Sequence, residues 1–128
     1  MLPRQYRLKN RSAFNATYRV KNSTHLGGVT LFAGILKKDA DTDTRVGFVV
    51  SKKTHKRAVK RNRLKRLMRE CYRLLLKENN LGNSQIYMSL IFVGSVHALD
   101  KNFAEMQNII KTLLKRLWCL KEYLLKMS

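Results

Sequence analysis

Positively charged side chains are concentrated in one segment of the sequence, residues 52–73. Arg guanidinium groups donate paired hydrogen bonds to phosphate oxygens, and Lys ammonium groups supply compact positive charge. The segment contains a single acidic residue, Glu70, so most of this charge has no neighbouring counterion. An ordinary solvated helix face mixes both signs, because oppositely charged residues four positions apart stabilise a helix. The pattern therefore favours a surface whose counterions are the phosphates of a nucleic acid.

Helical spacing separates the charged residues of this segment from its apolar residues. At about 100° per residue, the apolar positions fall on one face and most of the basic positions fall on the opposite face. The spacing predicts a helix over Arg57–Glu78 with one buried and one basic face. The predicted buried residues are Leu64, Leu67, Met68, Cys71 and Leu75. The predicted RNA-binding residues, on this helix and just before it, are Lys53, Arg57, Arg61, Asn62, Arg63, Lys65, Arg66, Arg69 and Arg73.

The composition of the whole chain agrees with a polyanionic partner. Its 128 residues include 27 Lys and Arg against 8 Asp and Glu, a formal net charge of +19. Such an excess repels itself in a compact domain. An anionic membrane surface is a weaker candidate than nucleic acid, since the basic helix lacks an aromatic anchoring edge. The longest apolar run, Leu90–Val93, cannot span a bilayer, and the N-terminus lacks a signal-peptide core. We expect a cytoplasmic protein without a membrane partner.

Three aromatic residues outside the basic helix could stack on the bases of a single-stranded RNA. Phe14 and Tyr18 stand four positions apart in a predicted helix and share one of its faces, and Phe32 lies in a predicted strand. Single-stranded RNA is bound by such stacking together with a cationic groove. Burial in an ordinary core is the alternative. For Phe14 judged from composition alone, that alternative is the stronger interpretation.

The remaining periodicity predicts six elements in the order α-β-β-α-β-α, a small α+β sandwich. Besides the basic helix, these are a helix over Arg11–Val20, strands over Val29–Leu36, Arg45–Ser51 and Ile86–Val93, and a helix from about Asn102 to about Leu125. A short polar connection favours antiparallel pairing of the first two strands. The predicted helix caps are Ser12, Asn22 in the left-handed conformation, and Asp100.

One domain is expected for residues 1–128, with a C-terminal extension after about residue 118. The extension is apolar on several sides from Trp118 to Leu125. Packing of these turns on the domain is the preferred interpretation, and contact with a partner is the alternative.

The residues that catalysis or metal binding would need are scattered. His25, His55 and His97 have no metal-ligand spacing with Cys71 or Cys119. The sequence shows no defensible carboxylate pair, Ser-His or Cys-His arrangement, and no Gly-rich phosphate loop. We therefore expect a non-catalytic RNA-binding protein with no metal site of its own.

The motifs of the basic segment resemble a known family. Val50-Ser51-Lys52-Lys53 is followed by Arg61-Asn62-Arg63, then by Lys65-Arg66 and Arg69-Glu70. This succession is similar to the signature of the protein subunit of bacterial ribonuclease P. The resemblance extends from about Leu2 to about Leu117, and the spacing of the motifs makes it specific.

The resemblance implies a component of a ribonucleoprotein endoribonuclease that removes the 5′ leader from precursor tRNA. In that family the RNA subunit is the catalyst and binds the magnesium ions, while the protein binds that RNA and the single-stranded leader. The resemblance places the leader in a cleft between the first helix and the sheet. Here that implies the leader-binding residues Arg11, Phe14, Tyr18, Phe32 and Lys52.

The family fold also implies that the second and third predicted strands pair in parallel through the basic helix. The crossover between them is expected to be left-handed, whereas the general rule for such connections favours the right hand. A small basic ribosomal protein is the alternative function, and a self-sufficient nuclease is a third hypothesis that the missing carboxylates disfavour.

Removal of one phosphate contact should be visible in the salt dependence of RNA binding. If the basic face contacts phosphates, affinity for RNA falls steeply as the salt concentration rises. Replacing Arg66 with Ala should lower the slope of log affinity against log salt by about one. An unchanged slope would show that Arg66 does not lie at a phosphate.

Overall fold

A four-stranded sheet with helices on both of its faces organises the chain. The computed structural model describes residues 2–39 and 42–127, with side chains for all of these except 82–83 and 118–127. Within them the helices are α1 (Arg11–Arg19), α2 (Ala58–Lys77) and α3 (Phe103–Met127). The strands are β1 (Asn22–Leu26), β2 (Val29–Ala33), β3 (Arg45–Val50) and β4 (Ser89–Gly94), in the sheet order β1-β2-β4-β3. The predicted α+β class is confirmed.

Strand β4 has a different kind of neighbour on each side. β2 runs antiparallel to it, with Thr30 opposite Val93, and β3 runs parallel to it, with Phe48 opposite Phe92. The predicted antiparallel pairing of β2 with β3 is therefore wrong, because β4 lies between them. A strand whose side chains are buried on both faces is stable in the centre of a sheet. The parallel pairing implied by the resemblance is confirmed, and the handedness of its crossover stays a prediction.

Strand β1 is absent from the sequence-based prediction because its residues carry no apolar alternation. It is a polar edge strand whose side chains are half-buried at best. It pairs with β2 from its first residue, Asn22, opposite Ala33. The left-handed residue before it is Lys21, with φ of 60°, so the predicted cap at Asn22 is wrong.

The two other predicted helix caps are each displaced by two residues. Asn10 caps α1, because its side chain accepts a hydrogen bond from the backbone N–H of Ser12 at 3.0 Å. At the start of α3, Asn102 and Glu105 exchange side-chain and backbone hydrogen bonds of 2.9 and 3.2 Å. This reciprocal pair is a capping box, and Asp100 precedes it.

The boundaries of two strands also differ from prediction. β2 ends at Ala33, whose partner Leu90 lies next to the first residue of β4. Regular strand structure stops there, but the two segments stay paired through an isolated antiparallel bridge between Leu36 and Tyr87. Ile35 and Leu36 are about half exposed at 54% and 53%. β4 begins at Ser89 because the chain up to Ile86 forms a 3-10 turn.

The main core lies between the sheet and the apolar face of α2. Leu64, Met68, Cys71 and Leu75 are buried as predicted, and Tyr72 joins them. Leu67 is only partly buried. The Tyr72 ring packs against Phe48 and Phe92, at centroid distances of 6.1 and 5.9 Å. A Cβ atom on Gly94 would lie 2.7 Å from Cδ2 of Leu64, so α2 packs directly on the backbone of β4.

Helix α3 completes the same side of the core. Its apolar stripe is buried at Met106, Ile110, Leu113, Leu114 and Leu117, whereas Phe103 is 43% exposed. The expectation that the turns after Trp118 pack on the domain falls on side chains outside those described. Along the described chain, the helices are too short or too polar to cross a membrane.

Truncation of the Leu64 side chain should destabilise the fold strongly. Leu64 is fully buried, so Leu64→Ala removes buried surface and leaves a cavity, at a cost of about 2–5 kcal/mol. Val59→Ala on the same helix is the control, since Val59 is 77% exposed. Urea unfolding followed by circular dichroism should show a lower midpoint for the first variant only. Equal midpoints would contradict the assigned packing of α2.

Candidate nucleic-acid interface

Helix α1 crosses the face of the sheet opposite to α2 and contacts it through two aromatic rings. Phe14 lies over Gly47 of β3, where a Cβ atom would come within 2.5 Å of Cζ of the ring. Tyr18 meets Phe32 of β2 edge-on, with ring centroids 4.9 Å apart and an interplanar angle of 84°. Gly47 and Phe32 each stand opposite Ile91 of β4. The helix therefore crosses the sheet along the row that Phe32, Ile91 and Gly47 form across three neighbouring strands.

A buried hydroxyl pair fixes α1 between these two ring contacts. Thr17 is buried, and its Oγ1 lies 2.5 Å from Oγ of Ser89 on β4. The same Oγ1 donates to the backbone carbonyl of Ala13 at 2.8 Å. A buried hydroxyl is costly without a partner, so this pair holds the helix at one distance from the sheet.

The aromatic rings lie beside a further row of the sheet on one side of α1. Phe14, Tyr18 and Phe32 are half-buried. The next row of the same sheet face joins Thr30, Val93 and Val49, and these three are also half-buried. We call the six residues Phe14, Tyr18, Phe32, Thr30, Val49 and Val93 the aromatic groove.

Sequence reasoning found the rings of the groove and missed its aliphatic floor. Thr30 lies two positions before Phe32 in β2, so the alternation of the strand predicts that both side chains lie on the same face of the sheet. Val49 and Val93 could be placed beside the rings only once the order of the strands was known. His25 was missed with β1, and its Nδ1 lies 2.8 Å from Oγ1 of Thr30.

The two cations that the resemblance implies for the leader site, Arg11 and Lys52, stand on or next to elements that carry groove residues. Arg11 is exposed and precedes Phe14 and Tyr18 by three and seven positions, so the three share one side of α1. Lys52 is exposed just after β3 ends. Thr54 joins the same loop to the end of β4 through a 3.4 Å hydrogen bond to the carbonyl of Gly94. The loop thus leads from the groove directly to α2.

The predicted RNA-binding residues divide into two groups by exposure. The exposed group is Lys53, Arg57, Asn62, Arg63 and Arg66, and the half-buried group is Arg61, Lys65, Arg69 and Arg73. The face opposite the core is therefore basic, as predicted, but part of it also packs on the protein.

Two of the arginines hold neighbouring loops as well as carrying charge. Arg61 Nη1 donates to the backbone carbonyls of His55 and Lys56 at 2.7 and 3.0 Å. Arg63 Nη1 donates to the carbonyl of Leu99 at 3.1 Å. A guanidinium has five N–H donors, so each group keeps donors for a ligand while its position is fixed.

Arg69 and Arg73 are engaged differently. The Arg69 guanidinium lies 6.0 Å from the centroid of the Phe48 ring, a cation–π contact. Arg73 forms a two-pronged ion pair with Glu70. The hydrogen bond from Arg73 holds the pKa of Glu70 below its usual value. Arg73 therefore adds little net positive charge to this surface.

Cys71 lies on the core side of α2 and is not a reactive thiol. Burial, with a smaller contribution from Glu70, raises its pKa to about 12. Its Sγ lies 3.8 Å from the backbone carbonyl of Phe103. Since the thiolate is the nucleophilic form, Cys71 is a packing residue. The side chain of Cys119 is outside those described.

The amino-acid sequence of the chain matches that of a known protein family. A family model described as Ribonuclease P matches residues 2–118. The ribonuclease P protein component of Symbiobacterium thermophilum is 35% identical over 115 residues, which are 90% of this chain and 93% of that protein. The protein of the same name from Clostridioides difficile is 37% identical over 109 residues, 85% of this chain and 89% of that protein.

Solved protein structures align with the fold of this chain. The Staphylococcus aureus RNase P protein aligns with a TM-score of 0.68 at 25% identity, covering 87% of this chain and 94% of that one. The Thermotoga maritima RNase P protein aligns with a TM-score of 0.68 at 21% identity, covering 86% and 96%. The second likeness bears on the fold alone.

A methyl group on Gly47 should disturb the docking of α1. Gly47→Ala places a Cβ atom against the Phe14 ring, and such overpacking costs about 1–3 kcal/mol. Phe14→Leu removes the ring atoms that clash, so Gly47→Ala should cost much less in that background. Urea unfolding of the two single variants and the double variant measures this coupling. Additive costs would show that the ring does not rest on Gly47.

Proposed function

This chain belongs to the ribonuclease P protein family, and from that premise we propose how its two surfaces serve the enzyme. Its role is that of the protein subunit of ribonuclease P in tRNA processing, and its partner is the ribonuclease P RNA. The family match replaces the alternative hypothesis that the chain is a small basic ribosomal protein. The proposals concern which residues bind which RNA, where catalysis resides and where the protein acts.

We propose that the aromatic groove binds the single-stranded 5′ leader of precursor tRNA. The observation that carries this proposal is the half-burial of Phe14, Tyr18 and Phe32 beside exposed cations. Unpaired bases stack on aromatic side chains, and the RNA backbone follows adjacent positive charge. Arg11 and Lys52 supply that charge at the groove. The 5′ leader is a single-stranded part of the precursor that the mature tRNA lacks.

We propose that the basic face of α2 binds the RNA subunit. Lys53, Arg57 and Arg66 are exposed and contact phosphates, which releases counterions and gives binding its salt dependence. Arg61 and Arg63 are held in place by backbone carbonyls. Their remaining N–H donors therefore bind phosphate oxygens with a smaller loss of side-chain conformational entropy. The remaining proposed contacts are Asn62, Lys65, Arg69 and Arg73, of which Arg73 is the weakest because Glu70 already pairs with it.

We assign cleavage to the RNA subunit and magnesium mainly to that RNA. Among the described side chains, those of residues 2–39, 42–81 and 84–117, there is no group of three His, Cys, Asp or Glu that could hold a metal ion. Magnesium prefers oxygen ligands, phosphates among them, and the RNA supplies these. The protein contributes binding and orientation of the precursor. We further propose that it acts in the cytoplasm, as one RNA-binding domain with a C-terminal extension.

Reconstitution with a bacterial ribonuclease P RNA tests the assignment of the groove. Phe14→Leu keeps apolar bulk and removes the stacking face, which is worth about 1–3 kcal/mol per base. Affinity of the reconstituted complex for precursor tRNA should fall about fivefold to about a hundredfold. Affinity for mature tRNA should stay almost unchanged, since it has no leader.

Phe103→Leu is the matched control for this experiment. Phe103 is an exposed aromatic residue on α3, away from the groove, so its substitution should affect neither ligand. Equal losses for precursor and mature tRNA in Phe14→Leu, or no loss for either, would refute leader binding by the groove. Failure of the wild-type protein to stimulate precursor cleavage at low magnesium would refute the proposed role as a whole.

A further inference from the structure

A second group of cations lies on the other side of α1 from the aromatic groove. The helix crosses the sheet over the row that contains Gly47, and Val49 lies in the groove on one side of that row. Arg45 lies two positions before Gly47 and faces the same way, so it emerges on the opposite side of α1. Its partner across the ladder is Ser89, the residue that bonds to Thr17 beneath the helix.

Arg45 forms one wall of an open pocket with residues of the N-terminal segment. Arg4, Gln5, Lys9 and Arg45 line this pocket, whose volume is about 430 Å³. All four side chains are exposed. None of them is apolar or aromatic, in contrast to the groove on the other side of α1. We call this pocket the N-terminal cationic pocket.

The backbone on which these cations stand is fixed. The N–H of Leu8 donates to the carbonyl of Val46 at 2.9 Å, so the N-terminal segment lies along the edge of β3. Leu8 is buried, and Arg7 Nε donates to the carbonyl of Leu2 at 2.8 Å. Lys9 follows Leu8 directly and precedes the cap of α1. The pocket is therefore assembled in the folded protein before any ligand arrives.

The positive charges of the pocket have no counterion in the part of the chain whose side chains are described. Among the side chains that the structure describes, no carboxylate pairs with Arg4, Lys9 or Arg45, and the ion pair formed by Glu70 lies on α2. Loss of hydration lowers the pKa of Lys9, and repulsion from Arg4, Arg7 and Arg45 lowers it further. Convergent like charges of this kind are relieved by an anion that binds between them.

We infer that Arg4, Lys9 and Arg45 form a second phosphate-binding pocket, which takes a backbone phosphate of RNA on the side of α1 opposite to the aromatic groove. Two guanidinium groups supply paired donors for phosphate oxygens, and the ammonium group adds a point charge. The lining offers no ring on which a base could stack, so the pocket binds backbone rather than bases. The inference rests on the proposed function and adds a contact that neither the groove nor α2 provides.

A charge-matched pair of variants tests this pocket in the assembled enzyme. Lys9→Gln with Arg45→Gln removes two charges from the pocket. Lys111→Gln with Lys115→Gln removes two from exposed positions on α3. For each variant, log affinity against log salt is measured for the ribonuclease P RNA and, with the holoenzyme, for precursor tRNA. The pocket variant should lower the slope by about two for the RNA that supplies the phosphate, and the α3 variant should leave both slopes unchanged.

The pattern across the two RNAs identifies the source of the phosphate. A lower slope for the ribonuclease P RNA assigns the phosphate to that subunit, and a lower slope for the precursor assigns it to the substrate. Equal changes of slope in the pocket variant and the α3 variant would show that only the net charge of the protein matters, and would overturn the inference. Unchanged RNA slopes together with weakened binding of a poly-glutamate peptide would overturn the assignment to RNA.

Titration of the free protein with inorganic phosphate separates this inference from the proposed function. Binding of phosphate in the pocket should raise the pKa of Lys9, read from the NMR shifts of its ε-methylene group, while Lys111 stays unchanged. This outcome is independent of whether the protein assembles with RNA. Equal responses of Lys9 and Lys111 would indicate an adventitious ion only and would refute the pocket.

Discussion

Strand β4 carries apolar side chains on both of its faces, and each face has to be covered by a different layer. Leu90 and Phe92 face the core under α2 and α3, whereas Ile91 lies in the row that α1 crosses. This requirement puts β4 between β2 and β3 and gives the sheet two covered faces. The aromatic groove lies on one side of α1. The N-terminal cationic pocket lies on the other side, where Arg45 of β3 meets residues of the N-terminal segment.

The net charge of +19 is a second constraint, because the fold has to tolerate repulsion among its own cations. Basic side chains are concentrated on α2, on the loop before it and on the N-terminal segment. Arg61 and Arg63 bond to backbone carbonyls, which are neutral acceptors. Such bonds fix a guanidinium without cancelling its charge, unlike the pairing of Arg73 with Glu70. The protein thus keeps an oriented positive field for its RNA partner.

The sequence predicted what local periodicity determines. The buried face of α2 and the side shared by Phe14 and Tyr18 both follow from spacing within one element. Strand β1 was not predicted because its own residues carry no strand pattern, and it is stabilised by pairing with β2. The position of β4 between β2 and β3 depends on contacts far apart in sequence and was not predicted. The resemblance to a family implied the parallel pairing of β3 with β4, which the pattern alone did not give. The loop contacts of Arg61 and Arg63 and the convergence of Arg4 on Arg45 are long-range in the same sense.

The two sides of α1 differ in what they demand from the fold. In the groove, the packing of the Phe14 ring on β3 requires that Gly47 have no side chain, and the same ring is the one proposed to stack on a base of the leader. A change in the proposed leader site therefore also changes how α1 docks. The cationic pocket is built from the exposed ends of Arg4, Lys9 and Arg45, while the buried Leu8 holds the backbone beneath them. Its charge can change with little effect on the core, so phosphate binding there is separable from stability in a way that base stacking in the groove is not.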